Sequence, residues 1–212
     1  GTPGTPHPRP WRGGEDILAA WGHRPWLACR DSGGEVGPRA RWVIVCRDPV
    51  HVIVQRGGTC WRDGLPVAQP LPDLLRQHLP PRPCPQGLPF VGGAIGFIGY
   101  GAGLRAAGIA TRHAADPAEP EAAFGLYDHA CLLDRLTGQA WLAAPTPLAP
   151  ARLAALVARW EAIGPAAPAP ALPRLSFTPD QTGPAYRATV ARVVGRIAAG
   201  EVFQVNVTGR MQ

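Results

Sequence analysis

Between Arg82 and Arg105 the chain runs for 22 residues without a charge. What this stretch can become constrains the fold more than any other feature. A helix crosses a bilayer with about 20 apolar residues, so length alone permits a membrane span. Pro83, Pro85 and Pro89 interrupt its first part, however, and Gly92, Gly93, Gly96, Gly99, Gly101 and Gly103 its second. Proline removes a helix donor and glycine raises the entropic cost of a helix. Too few large apolar side chains remain for insertion, so no membrane is expected as a partner. Nor is Gly93-Ala94-Ile95-Gly96-Phe97-Ile98-Gly99 a phosphate loop. A P-loop needs Lys followed by Ser or Thr, and the G-x-G-x-x-G order is absent. The segment reads as sheet, with glycines where another backbone comes close.

Gly and Pro number 26 each among 212 residues, which by itself suggests low complexity. Against that, 46% of the chain is hydrophobic and it holds seven Trp, enough for a packed core. All 21 basic residues are Arg, and the net charge is +6. The arginines are scattered, with no run of three and no face that interleaves them with aromatics, so no nucleic-acid partner is expected. Five cysteines, Cys29, Cys46, Cys60, Cys84 and Cys131, form no C-x-x-C pair. Odd in number and widely spaced, they read as unpaired thiols in a reducing cytoplasm.

Residues 1–20 are expected to be a mobile Pro/Gly-rich start, with a short helix beginning near Asp16. Trp26 to Arg30 reads as a buried strand closed by the turn chemistry of Asp31-Ser32-Gly33-Gly34. Arg41 to Arg47 and Val50 to Arg56 alternate with period two, as half-buried antiparallel strands do, with Asp48-Pro49 between them. Leu71 to Leu79 suits a helix with Pro72 in its first turn. Phe124 to Arg135 and Gln139 to Ala143 flank Leu136-Thr137-Gly138 as a hairpin would. Leu153, Leu156, Val157 and Trp160 line one helix face. Residues 21–164 are thus read as one domain and 165–182 as an Ala/Pro-rich linker. From Gly183 a helix carries Tyr186, Val190, Val193, Val194 and Ile197 as its apolar stripe and ends at Gly200. Glu201 to Thr208 then alternates strictly, as a strand does. Strands and helices follow one another irregularly, which favours α+β over a doubly wound sheet.

No active site emerges from the residues alone. Ser32 and Ser176 are the only serines, and neither lies in G-x-S-x-G. His51 and His129 sit within apolar strand patterns and read as structural histidines. Asp128 is the only acidic residue inside an apolar strand and is expected to be hydrogen-bonded at a strand edge.

Three stretches taken together carry a resemblance. Pro89-Phe90-Val91-Gly92-Gly93-Ala94-Ile95-Gly96-Phe97-Ile98-Gly99-Tyr100 resembles the P-F-x-G-G segment of the chorismate-utilising family. That family comprises the component I chains of anthranilate synthase and aminodeoxychorismate synthase. Gly125-Leu126-Tyr127-Asp128-His129-Ala130 is similar to its G-x-Y-D strand. Ala199-Gly200-Glu201-Val202-Phe203-Gln204-Val205-Asn206-Val207-Thr208 is similar to its A-G-D/E-x-Y/F-Q-V-N strand, and residues 24–27 and 41–45 resemble its first strands. Asn206 after Gln204-Val205 resembles the aminodeoxychorismate branch.

The resemblance implies the amino-terminal portion of the anthranilate synthase component I-like fold, with packed antiparallel sheets and outer helices. On that reading 183–212 begins a truncated chorismate-binding domain. The implied reaction is amination of chorismate to 4-amino-4-deoxychorismate, the precursor of 4-aminobenzoate for folate. Ammonia would come from a glutamine amidotransferase subunit, and Mg2+ would hold the carboxylates of chorismate. Family catalytic residues, metal-binding glutamates and a K-G-T motif all fall beyond Gln212. The chain is therefore expected to carry no catalytic or metal-binding residue and to be inactive alone. The family's tryptophan site falls by position on Ser32, Arg39, Ala40, Arg41 and Trp42. The alternatives are anthranilate synthase component I and, from another class, a non-catalytic scaffold that binds tryptophan or a partner.

Overall fold

The computed structural model describes residues 4–79, 84–85, 87–110, 119–168 and 170–211. The uncharged stretch falls partly outside these residues, at 83 and 86. No helix among the described residues is long and apolar enough to cross a membrane. The chain divides into two units, Gly1–Ala167 and Pro168–Gln212.

The first unit holds two five-stranded antiparallel sheets. One is built from β1 (His7–Arg9), β10 (Gln139–Ala143), β9 (Ala130–Asp134), β3 (Trp42–Cys46) and β2 (Ala28–Asp31), in that spatial order. The other runs β6 (Leu65–Val67), β5 (Thr59–Arg62), β4 (His51–Arg56), β8 (Ala122–Tyr127) and β7 (Gly93–Ile98). Four helices accompany them: α1 (Gly14–Trp21), α2 (Leu71–His78), α3 (Tyr100–Ala106) and α4 (Pro150–Glu161). With α5 (Gly183–Ala198) in the second unit, the class is α+β, as the irregular element order implies.

The core has three parts. Ile17 and Trp21 of α1 and Leu156 and Trp160 of α4 pack with Val43, Val45, Leu133 and Leu142 on one face of the first sheet. Trp21 and Trp160 meet edge to face, 5.9 Å apart, and the Trp160 indole donates to the Pro10 carbonyl at 2.8 Å. Leu132, Ala130 and Cys46 on the opposite face join Val91 and Tyr127 in a second cluster. Leu71 and Leu74 of α2 cover the second sheet at Ile53, Cys60, Ala122 and Leu126.

The chain crosses between sheets at two points that read as continuous or paired strands in the sequence. β3 and β4 do not pair with each other; Asp48-Pro49 carries the chain from one sheet to the next. Asp48 sits at φ 50°, and Pro49 has no N–H to extend the ladder. The run 124–135 is likewise broken at Asp128-His129, where β8 of one sheet ends and β9 of the other begins. Its hairpin with β10 forms as expected, with Gly138 at φ 67° in the turn.

Other expectations are corrected. Residues 7–9, within the segment read as mobile, form β1 and pair with β10 from His7↔Leu142 to Arg9↔Ala140. The strand placed at Trp26 to Arg30 starts at Ala28, and it is an edge strand with no fully buried residue. In β4 the fully buried side chain is Ile53, and Val52 and Val54 are half-buried on the other face. The glycine-rich run does form a strand, β7, paired along its length with β8. A Cβ on Gly96 would run into the Ala123 carbonyl oxygen and the Phe124 Cα, which is why glycine stands there.

In the second unit Thr182 caps α5, its hydroxyl accepting from the Ala185 amide at 3.3 Å. The helix ends in a Schellman motif, Gly200 N–H to the Ile197 carbonyl and Glu201 N–H to the Arg196 carbonyl, both 3.0 Å, with Gly200 at φ 75°. The strand expected at Glu201 to Thr208 does not form: these residues are unpaired among the described residues. The only bridge recorded near it among the described residues is Pro179↔Met211. Phe203 is 96% exposed. A strand needs a neighbour to pair with, and alternation alone does not supply one.

Candidate functional site

The residues singled out by resemblance lie at the β2–β3 connection. Asp31 closes the turn by accepting from the Gly33 amide at 2.8 Å, and Gly33 and Gly34 follow at φ 61° and 63°. Only glycine takes two such positions in succession without strain. The Ser32 hydroxyl donates to the Trp42 carbonyl at 3.3 Å, so the serine ties the two strands together. Arg39 is exposed on the connection beside the half-buried Ala40.

Arg41 forms a bidentate pair with Asp134, Nε to Oδ1 at 3.0 Å and Nη2 to Oδ2 at 2.7 Å, and its guanidinium stacks 4.7 Å from the Trp42 ring. The hydrogen bond from Arg41 is the first cause holding Asp134 below the usual carboxylate range. Trp42 is half-buried, 6.2 Å from Trp141.

Arg135 completes the arrangement. Its Nη1 donates to the carbonyls of Gly33 and Ala40 at 2.9 and 3.2 Å, and its Nη2 to that of Gly34 at 2.8 Å. One guanidinium thus gathers both ends of the connection. The structure brings Ser32, Arg41 and Trp42 together and leaves Arg39 outside the network. Sequence reasoning missed Arg135 and Asp134. Their partners lie about a hundred residues away, and nothing in the local pattern announces them.

A second polar centre forms where the chain changes sheets. Asp128 accepts from Arg152 Nη2 at 3.0 Å, from Arg152 Nε at 3.2 Å and from His129 Nδ1 at 2.7 Å. Burial would raise the pKa of Asp128, but the hydrogen bonds from His129 and Arg152 outweigh it and hold the carboxyl well below its ordinary range. His129 is fully buried, as a structural histidine would be, and its Nε2 has no partner among the described residues. Burial pushes the Cys131 thiol up to about 12 and the Tyr127 hydroxyl, which donates to the Trp26 carbonyl at 2.7 Å, to about 12. Neither group is a nucleophile or base at neutral pH.

Two of the cavities open on the second sheet. One of about 530 Å³ is walled by His51, His78, Phe90 and Leu126. Another of about 720 Å³ has Val52, Val54 and Trp61 beside the Arg105–Glu121 ion pair. Among the described residues no three His, Cys, Asp or Glu converge to hold a metal ion. These residues do not fit Mg2+.

Comparison with known proteins places the chain in a family. A family model described as chorismate binding enzyme matches residues 31–212. Aminodeoxychorismate synthase component 1 of Salmonella typhimurium is 36% identical over 138 residues, 59% of this chain and 30% of that protein. The protein of the same name from Klebsiella aerogenes is 29% identical over 212 residues, 95% of this chain and 46% of its own length. That of Escherichia coli is 30% identical over 137 residues, 58% of this chain and 30% of its own. The chain therefore spans about a third to a half of these relatives. Among solved structures, anthranilate synthase component I from Streptococcus pneumoniae superposes with a TM-score of 0.62 at 21% identity, over 91% of this chain and 46% of that one. That likeness concerns the fold.

Proposed function

The chain belongs to the chorismate binding enzymes, and from that premise we propose that it is the amino-terminal portion of an aminodeoxychorismate synthase component 1. One observation carries this reading: the three curated relatives named above all bear that name. Asn206 in Gln204-Val205-Asn206 supports the same branch. In the proposed reaction chorismate and ammonia give 4-amino-4-deoxychorismate and water, in the cytoplasm. Ammonia would come from a glutamine amidotransferase partner. The catalytic groups and Mg2+ site would belong to the part of the relatives that this chain does not span.

The test is a chromatographic assay with chorismate, Mg2+ and ammonia. The complete reading frame containing this chain should yield 4-amino-4-deoxychorismate, and the 212-residue chain alone no product above blank. Anthranilate from the complete protein would move it to the other branch, and product from the chain alone would overturn the division of labour.

Within that reading, Ser32, Arg39, Ala40, Arg41 and Trp42 form a tryptophan site. The support is positional, together with the hydrogen bond that joins Ser32 to the Trp42 carbonyl. Calorimetry with tryptophan should show binding that Ser32→Ala and Trp42→Ala each weaken. Binding unchanged in both variants would exclude these residues.

A further inference from the structure

The cavity of about 530 Å³ beside Gly92-Gly93 falls in the range of small-molecule sites, about 300–1,000 Å³. Two imidazoles stand in its wall, His51 of β4 and His78 at the end of α2, with ring centroids 4.8 Å apart. Leu79, Phe90, Val91 and Leu126 make much of the remaining lining apolar.

Hydrogen bonds fix what each ring presents. His51 Nδ1 lies 2.8 Å from Asp63 Oδ2, and the other Asp63 oxygen accepts from the Val52 amide at 2.8 Å. An ionised carboxylate only accepts, so the proton is on Nδ1 and the neutral ring keeps its lone pair on Nε2. Arg62 Nη1 lies 3.4 Å from His78 Nε2. A guanidinium only donates, so Nε2 accepts and the His78 proton is on Nδ1. Among the described residues neither His51 Nε2 nor His78 Nδ1 has a hydrogen-bond partner. Adjacent rings thus offer one acceptor and one donor.

A carboxylic acid is the complement of that pair. Its O–H would donate to His51 Nε2, and its C=O would accept from His78 Nδ1–H. With the proton on the His51 side of that hydrogen bond, the same pair is an imidazolium and a carboxylate.

The charges around the cavity point the same way. His51, His78 and Arg62 surround one carboxylate, Asp63, whose oxygens are both engaged. Asp128 also lines the cavity, but His129 and Arg152 occupy it. Of the other titratable groups in the lining, Tyr127 donates to Trp26 and Cys84 Sγ to the Leu88 carbonyl. The His78 pKa is lowered by burial first and then by His51 and Arg62, against the opposing charge of Asp63.

We propose that this cavity binds a small apolar carboxylic acid between His51 and His78, taking up one proton as the carboxylate enters. The site is separate from the Ser32–Trp42 region and does not depend on the chorismate reading.

Benzoate is the probe, with benzyl alcohol as its uncharged counterpart. Calorimetry of the purified protein in two buffers of different ionisation enthalpy should give about one proton taken up per benzoate. The affinity should fall as pH rises, because the complex holds a proton that the free protein and benzoate lack. Imidazole nitrogen signals of His51 and His78 in the unaltered protein should move on binding. His51→Gln should weaken binding about tenfold and abolish the proton uptake, and His78→Gln should weaken it with melting temperature unchanged. Benzyl alcohol binding as tightly as benzoate, uptake of no proton, still imidazole signals, or no binding at about 10 mM would each overturn the proposal.

Discussion

Arg152 of α4 donates to both carboxylate oxygens of Asp128, at 3.2 and 3.0 Å, while its Nη2 also lies 3.2 Å from the Asp48 carbonyl. Asp48 and Asp128 are the two places where the chain passes between sheets. One helix residue therefore holds both crossings. Arg159, about two turns along the same helix, adds a contact to the Asp48 carboxylate at 2.8 Å.

Removing that clamp should destabilise the first unit. Both partners are about a quarter exposed, 28% and 27%, so the loss is less than for a fully buried pair. Arg152→Ala should cost about 1–3 kcal/mol, read from urea unfolding. A loss under about 0.5 kcal/mol would show that packing alone fixes the crossings.

Acid should act through the same carboxylates. Asp128 and Asp134 both have folded-state pKa values below those of the unfolded chain. Their contribution is complete above the unfolded value near 4 and is lost as pH falls toward the folded ones, because the unfolded chain binds more protons there. The urea midpoint should therefore drop from about pH 4 downward. Asp128→Asn should flatten that slope, and an unchanged slope would remove Asp128 from the account.

Glycines of the uncharged stretch should differ sharply in tolerance. A Cβ at Gly96 would come within 2.7 Å of the Phe124 Cα and closer still to the Ala123 carbonyl oxygen, and the backbone of the paired strand β8 cannot yield. Gly96→Ala should cost about 2 kcal/mol or more. At Gly103 in α3 nothing lies within 4 Å, so Gly103→Ala should be neutral or stabilise by up to about 1 kcal/mol. Equal melting shifts for the two would contradict the β7–β8 register.

Amide exchange should separate the two alternating segments. β9 is paired on both sides, by β10 and β3. Residues 202–208 have no ladder among the described residues. In the 212-residue chain, β9 amides should exchange slowly and those of 202–208 at close to the unprotected rate. Strong protection across 202–208 would show a pairing partner for that segment.

Local chemistry in the sequence determined four of the five described helices and the turns, but not α3. Pro72 and Pro184 sit in the first turns of α2 and α5, Gly200 ends α5, and Gly138 turns the β9–β10 hairpin. The α4 stripe buries Leu156 and Trp160 as its spacing requires. These features depend on neighbours a few residues away, which the sequence displays directly. The three motifs also sufficed to indicate the family.

Tertiary structure alone decided which sheet each strand joins, because period-two alternation is the same whichever neighbour a strand finds. β3 and β4, adjacent in sequence, part company, and 201–208 alternates without a partner. The polar centres were hidden for the same reason. Arg135 reaches Gly33 across 102 residues, Arg152 reaches Asp48 across 104, and His51 meets His78 only because α2 folds back over β4. Such pairs are made by distance in space, and only packing of the two sheets and their helices brings them within hydrogen-bonding reach.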